Sequence, residues 1–187
     1  MIFAQFRMEE LEANTFIVGC TQTREALLVD AGAGDPLRFR RFLDHHGLTL
    51  TTVFITHHHY DHVDGLTAVI KEFSPTVYST LGHVGGCDTL RIAHGDTLSF
   101  GAFTGRVAAT PGHTEDGLSL IFPGFAFTGD ALFAGSVGGT QSEELAELQR
   151  NHIREHLFTL PDETQLHVGH GPSTTVAIEQ RYNPFFN

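Results

Sequence analysis

The sequence predicts an α/β fold in which two β-sheets are sandwiched between helices. Three observations carry that expectation. Apolar runs of strand length and amphipathic helical stretches are spaced along the whole chain. Hydrophobic residues make up 41% of its 187 positions, enough for a substantial core in one domain of ordinary size, 1–187. Metal-ligand side chains recur just past the ends of the apolar runs. Periodicity by itself does not separate this layout from other α/β arrangements; the motifs do.

In chain order, residues 2–9 and 13–21 each read as a strand, the second centred on Phe16, Ile17 and Val18. Glu25 to Asp30 is a short apolar run closed by the small residues 31–34, the pattern of a buried strand entering a tight turn. Asp35 followed by Pro36 opens a helix with a cap and a first-turn proline, and Gly47 stops it. Leu48–Thr56 is a strand, Asp64–Phe73 a helix and Thr76–Leu81 a strand. Two hairpin-like pairs follow: Thr97–Phe100 with Phe103–Ala109 around Gly101, and Leu118–Phe122 with Phe125–Thr128 across Pro123 and Gly124. Ser142, then Glu143 and Glu144, caps an amphipathic helix carrying Leu145, Leu148, Ile153 and Leu157. A last strand, Gln165–Val168, precedes a short helix around Thr175–Tyr182.

Composition narrows the function. The formal net charge is −11, and of 11 basic residues only Lys71 is a lysine. That balance argues against nucleic-acid phosphates or an anionic membrane as the main partner, because both reward clustered Lys and Arg. Cys20 and Cys87 could form at most one disulfide and read as two free thiols of a reducing compartment. Residues 1–14 lack the pattern of a secretory signal, and no stretch approaches the ~18 apolar residues of a membrane helix. A soluble, cytoplasmic protein is expected.

The chain has 13 histidines. His45, His46, His83, His94, His152, His156 and His167 follow no ligand pattern and are assigned surface or core roles. The others do follow one. The densest segment is Thr56-His57-His58-His59-Tyr60-Asp61-His62, directly after an apolar strand. In extended chain, residues two apart point to one side, so His57 and His59 can reach one point while His58 faces elsewhere. Asp61 and His62 then sit near a helix start and can reach a second point. Three further segments place a ligand beside a glycine at a strand end: Gly112-His113, Gly129-Asp130 and Gly169-His170. Singly, each is an ordinary loop residue. Together they form a set of five histidines and two aspartates, donors that suit zinc, iron or manganese.

The cluster His57, His59, Asp61, His62, with His113, Asp130 and His170, resembles the signature of the metallo-β-lactamase superfamily. The segments Thr110-Pro111-Gly112-His113-Thr114, Phe127 to Phe133 and Gly169 to Thr175 are similar to the glyoxalase II (hydroxyacylglutathione hydrolase) group, and the tail, with Glu179 and Asn183 to Phe186, to its short members. The resemblance implies a four-layer αββα sandwich and two divalent metal ions, zinc first, with iron or manganese as alternatives. His57, His59 and His113 would hold one ion, Asp61, His62 and His170 the other, and Asp130 would bridge them. It further implies hydrolysis of S-lactoylglutathione or a related small acyl thioester by a metal-bound hydroxide that Asp61, the one catalytic residue named, helps to orient. His58 and Tyr60 are assigned supporting roles, and Asp30 is a partner for a ligand histidine. No oligomeric state is implied.

Two departures from that group stand out. The chain stops before the helical domain that supplies glutathione-binding residues in the long enzymes. Where many relatives carry an arginine after the bridging aspartate, this sequence reads Gly138-Gly139-Thr140-Gln141-Ser142. The alternative reading is a persulfide dioxygenase of the same fold, with one iron held by His57, His113 and Asp130. A β-lactamase is weaker, since two-zinc members commonly place a cysteine where Asp130 stands. The negative charge disfavours a nuclease.

Overall fold

The computed structural model describes residues 1–32 and 35–187. The expected turn at 31–34 therefore falls partly outside the described residues. The first half of the chain runs β1 (Ile2–Arg7), β2 (Asn14–Gly19), β3 (Glu25–Val29), α1 (Pro36–His46), β4 (Thr49–Phe54), α2 (Tyr60–Val63), α3 (Leu66–Phe73) and β5 (Thr76–Ser79). Three two-residue strands follow, β6 (His83–Val84), β7 (Cys87–Asp88) and β8 (Leu90–Arg91). The second half runs β9 (Thr97–Phe100), β10 (Phe103–Ala109), β11 (Leu118–Phe122), β12 (Phe125–Gly129), β13 (Leu132–Phe133), β14 (Ser136–Val137), α4 (Glu143–His156), β15 (Gln165–Val168), β16 (Thr174–Thr175) and α5 (Val176–Tyr182).

Two six-stranded sheets result, in the orders β1-β2-β3-β4-β5-β8 and β16-β15-β12-β11-β10-β9. Successive side chains on a strand face opposite ways, and here they sort into layers. Along β2 and β3, Ile17, Ala26 and Leu28 face the cluster that includes Phe39 and Leu43 of α1 and Leu66 and Val69 of α3. Their neighbours Phe16, Val18, Leu27 and Val29 face inward, against Leu118, Leu120 and Phe127 of the other sheet. On the far side, Ala108, Ile121 and Ala126 pack under Ile153 and Leu157 from α4 and the segment after it. Helix, sheet, sheet, helix is thus written into the alternation, and the fold is the expected αββα sandwich of the metallo-β-lactamase type. Strands covered on both faces need continuous apolar runs. Residues 26–29 supply one, and 118–122, interrupted only by the buried Ser119, come close to another.

Helix ends follow local chemistry. Asp35 accepts the Leu37 N–H at 2.9 Å, and Gly47 closes α1 in the left-handed region at φ 60°. Ser142 caps α4 by accepting the Leu145 N–H. The expected helix Asp64–Phe73 starts later, at Leu66: Asp64 closes the one-turn α2 and Gly65 begins a new helix. Cys20 and Cys87 are free thiols. Among the described residues, no helix is long and apolar enough to cross a membrane.

Candidate metal centre

The segments after β4, β10, β12 and β15 emerge at one end of the sandwich, where backbone hydrogen bonds tie them together. Leu118 N–H donates to the Thr56 carbonyl at 2.9 Å, Gly169 N–H to the Gly129 carbonyl at 2.9 Å, and Asn14 N–H to the Gly169 carbonyl at 2.7 Å. The approach is close enough to demand glycine. A Cβ on Gly169 would stand 1.9 Å from Oδ1 of Asp130. Gly129 has φ 51°, and a Cβ there would meet the Thr56 side chain at 2.7 Å.

All seven expected residues converge. The ligand atoms of His57, His59 and His113 lie within 4.8 Å of one another, as do those of Asp61, His62 and His170. Asp130 lies between the two sets. Its Oδ2 is 3.4 Å from His113 Nε2 and 3.5 Å from His170 Nε2, and its Oδ1 is 3.3 Å from His62 Nε2. Oδ2 of Asp61 is 3.1 Å from His170 Nε2. His59 directly precedes α2 without a side-chain cap bond, and its Nδ1 stands 2.9 Å from His113 Nε2, so His59 faces inward through Nδ1.

The outward nitrogens are engaged. His57 Nδ1 is 3.0 Å from Thr56 Oγ1, His62 Nδ1 is 2.8 Å from Asp30 Oδ2, and His113 Nδ1 is 2.6 Å from the Gly139 carbonyl. Such bonds set ring orientation and leave Nε2 free for a ligand. Asp30, at the end of β3 with φ 59°, also accepts the Thr56 backbone N–H at 2.8 Å and its hydroxyl at 2.9 Å. The expected partner role for Asp30 thus has its geometry.

Does this pocket fit metal? His57 Nε2, His62 Nε2 and Asp130 Oδ1 are buried with no well-directed hydrogen-bond partner. Buried polar atoms are rarely left so, and all three belong to the converging set. The donors are imidazole and carboxylate, as divalent zinc, iron or manganese prefer. The residues fit.

Electrostatics agree. Burial, helped by the neighbouring His62 charge, pushes His57 down to about 2, which keeps its ring neutral and its lone pair available. Burial opposes charge on His62 as well, but the Asp30 and Asp130 carboxylates outweigh it and raise the ring to about 10. Burial also resists charge on Asp130, yet His170 and His62 hold its carboxyl well below the usual range. A buried patch with Asp30, Asp61 and Asp130 calls for positive charge.

Beside the centre opens a cavity of about 500 Å³, bordered by His58, Thr80, Leu81, Glu115, Asp116 and Gln141. His58, which points away from the converging set as expected, hydrogen-bonds Asp116 Oδ1 through Nδ1 at 2.7 Å. Asp116 is buried and its backbone carbonyl accepts the Thr80 hydroxyl. Tyr60 is exposed. Sequence reasoning passed over Asp116, which carries no local signal, and Gln149, which does. Gln149 shares the apolar face of α4 with Leu145 and Ile153 and is fully buried. Its Nε2 donates to the carbonyls of Asp130 and Ala131 at 3.2 and 2.8 Å. A lone amide on such a face marks a polar group that needs holding.

Comparison with known proteins fits this geometry. Residues 8–85 match the family model described as metallo-beta-lactamase superfamily. Hydroxyacylglutathione hydrolase of Idiomarina loihiensis is 32% identical over 146 residues, covering 78% of this chain and 56% of the relative. The chain thus spans little more than half of that protein. The mitochondrial persulfide dioxygenase ETHE1 of Mus musculus is 31% identical over 178 residues, covering 91% of this chain and 70% of the relative. The crystal structure of ETHE1 from Myxococcus xanthus superposes with a TM-score of 0.90 at 35% identity, over 98% of this chain and 84% of that one. With its sandwich fold, its His and Asp cluster and relatives of this closeness, the chain belongs to the metallo-β-lactamase superfamily of enzymes.

Proposed function

We propose that the chain is a binuclear metallohydrolase that cleaves a small acyl thioester. One observation carries this reading: two complete three-residue ligand sets stand side by side with Asp130 between them. His57, His59 and His113 would hold one divalent cation; Asp61, His62 and His170 the other; Asp130 would serve both. When bound, such a pair lowers the pKa of water toward neutrality and polarises a carbonyl oxygen.

The chain's own residues do the rest. Asp30, Thr56 and the Gly139 carbonyl fix the rings of His62, His57 and His113. The Asp61 carboxylate accepts a hydrogen bond from the attacking water and so orients it. Water gives up its protons to solvent as it adds to the thioester carbon, the C–S bond breaks, and the products leave as a carboxylate and a thiolate. A thiolate needs little protonation help, which suits a centre without a dedicated acid. The substrate lies in the cavity between His58 and Gln141, and no nucleic acid or membrane takes part.

A second reading, a mononuclear iron persulfide dioxygenase using His57, His113 and Asp130, is favoured by coverage. The mouse dioxygenase aligns with 91% of this chain against 78% for the Idiomarina hydrolase. The test is metal analysis of purified protein, then thiol release from S-lactoylglutathione and simpler thioesters beside oxygen uptake with glutathione persulfide. Two metal equivalents at the centre with thiol release support the hydrolase. One iron with oxygen consumption replaces it with the dioxygenase.

A further inference from the structure

A second group of ligand-type side chains lies outside that centre: Glu155 with His152 and His156, the two histidines being ones that the sequence assigns to surface or core roles. His152 and His156 stand one turn apart on α4, with Glu155 three positions on from His152. Positions three and four apart share a helix face, so Glu155 and His156 both neighbour His152. The three ligand atoms lie within 4.8 Å of one another. His156 Nε2 is 4.0 Å from Glu155 Oε2, and the two imidazole centroids are 5.6 Å apart.

The surroundings leave a ring nitrogen of this group without a proton-bearing partner. His152 Nδ1 is enclosed and has no hydrogen-bond partner. His156 is buried, and burial, opposed by Glu155 but reinforced by His94, His152 and Arg106, holds its ring below the ordinary value. The neutral imidazole keeps its lone pair. Two imidazoles and one carboxylate are a donor set for a borderline divalent ion, with a remaining position for water.

We propose that His152, Glu155 and His156 form a peripheral site for one divalent transition-metal ion such as Zn²⁺. The site sits on the helix that supports the main centre. Gln149, one turn before His152, holds the Asp130 and Ala131 carbonyls. An ion bound here fastens the C-terminal turns of α4 and stabilises the folded chain by mass action.

The experiment starts from protein whose main centre is already loaded. Bound Zn²⁺ is counted after equilibrium dialysis for the wild type and for the double variant His152→Gln/His156→Gln. The variant should hold one equivalent fewer, whether the main centre carries one ion or two. Equal counts overturn the proposal. A second measurement needs no variant: as the last equivalent of Zn²⁺ is added to the loaded wild type, the ring resonances of His152 and His156 should shift or broaden. Unchanged resonances at saturating Zn²⁺ overturn it equally.

Discussion

Oδ2 of Asp30 stands 2.8 Å from Nδ1 of His62, while Oδ1 of the same carboxylate accepts the Thr56 backbone N–H at 2.8 Å. One buried side chain therefore orients a ring from the second ligand set and anchors the segment that leads into the first. It does so from a left-handed backbone, φ 59°, which Asp and Asn tolerate better than most residues. Replacing Asp30 by Asn keeps shape and backbone but removes the charge facing His62. Loss of such a partner costs metal affinity roughly 10–100-fold, and chelator competition should show a drop of that order. Asp30→Ala should be worse, since the Thr56 N–H then loses its acceptor and alanine takes a strained φ. Unaltered affinity in Asp30→Asn would mean that the contact is ornamental.

Gly169 admits no side chain. The Cβ of Gly169→Ala would press on Asp130 Oδ1 at 1.9 Å and on His62 Cε1 at 3.0 Å. The shared aspartate must shift, so metal content and turnover should both fall sharply. Elemental analysis of the purified variant, with circular dichroism to confirm the fold, checks this.

His167 reports on pH. Its ring is buried against Phe3, Phe16 and Phe127, with centroids at 4.5, 5.5 and 5.3 Å, and its Nδ1 meets Ser173 Oγ at 2.8 Å. Burial pushes it down to about 4 from an ordinary 6.5. Between those values the unfolded chain binds the proton and the folded chain does not, so stability falls as pH drops from 6.5 to 4. At ~1.4 kcal/mol per unit, the full effect is at most about 3 kcal/mol. Denaturant melts of metal-free protein across that range should show a shallower slope for His167→Phe, because phenylalanine binds no proton in either state, while the exposed Ser173 re-bonds to water. An unchanged slope would assign the pH dependence to other groups.

The cavity bears on the thiol part of the substrate. Glu115 and Asp116 border it, and among the described residues no arginine or lysine does. A carrier with several carboxylates, such as glutathione, meets repulsion there, so an uncharged short-chain thioester should show the lower KM. Glu115→Gln should lower KM for S-lactoylglutathione and leave kcat nearly unchanged, since Glu115 borders the cavity and is not one of the seven expected ligands. Steady-state thiol release with both substrates decides it.

Strands with their own alternation and turn chemistry were legible. β9, β10, β11 and β15 begin and end where the apolar pattern, Gly101 and the Pro123-Gly124 pair place them. The two-residue strands β6, β7, β8, β13, β14 and β16 were not, because a pair of residues has no period and acquires strand character only from its neighbour. The break at Asp64 and Gly65 escaped for a similar reason: a one-turn helix is held by the ligand loop rather than by propensity. At the site, the ligands were readable because four of them crowd into residues 57–62 directly after a strand and the other three, His113, Asp130 and His170, each follow a glycine near a strand end. Asp116 was not, since its pairing with His58 spans 58 positions and exists only once the sheets meet. His152, Glu155 and His156 share a helix face that is visible in sequence, but the burial of His156 is not.

Anomalous diffraction at the zinc edge, from crystals grown with saturating Zn²⁺, would count and place the ions of the proposed binuclear centre. Among the seven converging side chains two peaks are expected, one within bonding distance of His57, His59 and His113 and one near Asp61, His62 and His170, with Asp130 touching both; a peak at His152, Glu155 and His156 is counted separately. A single peak among these seven side chains, with His170 and Asp61 turned away from it, would contradict the binuclear hydrolase.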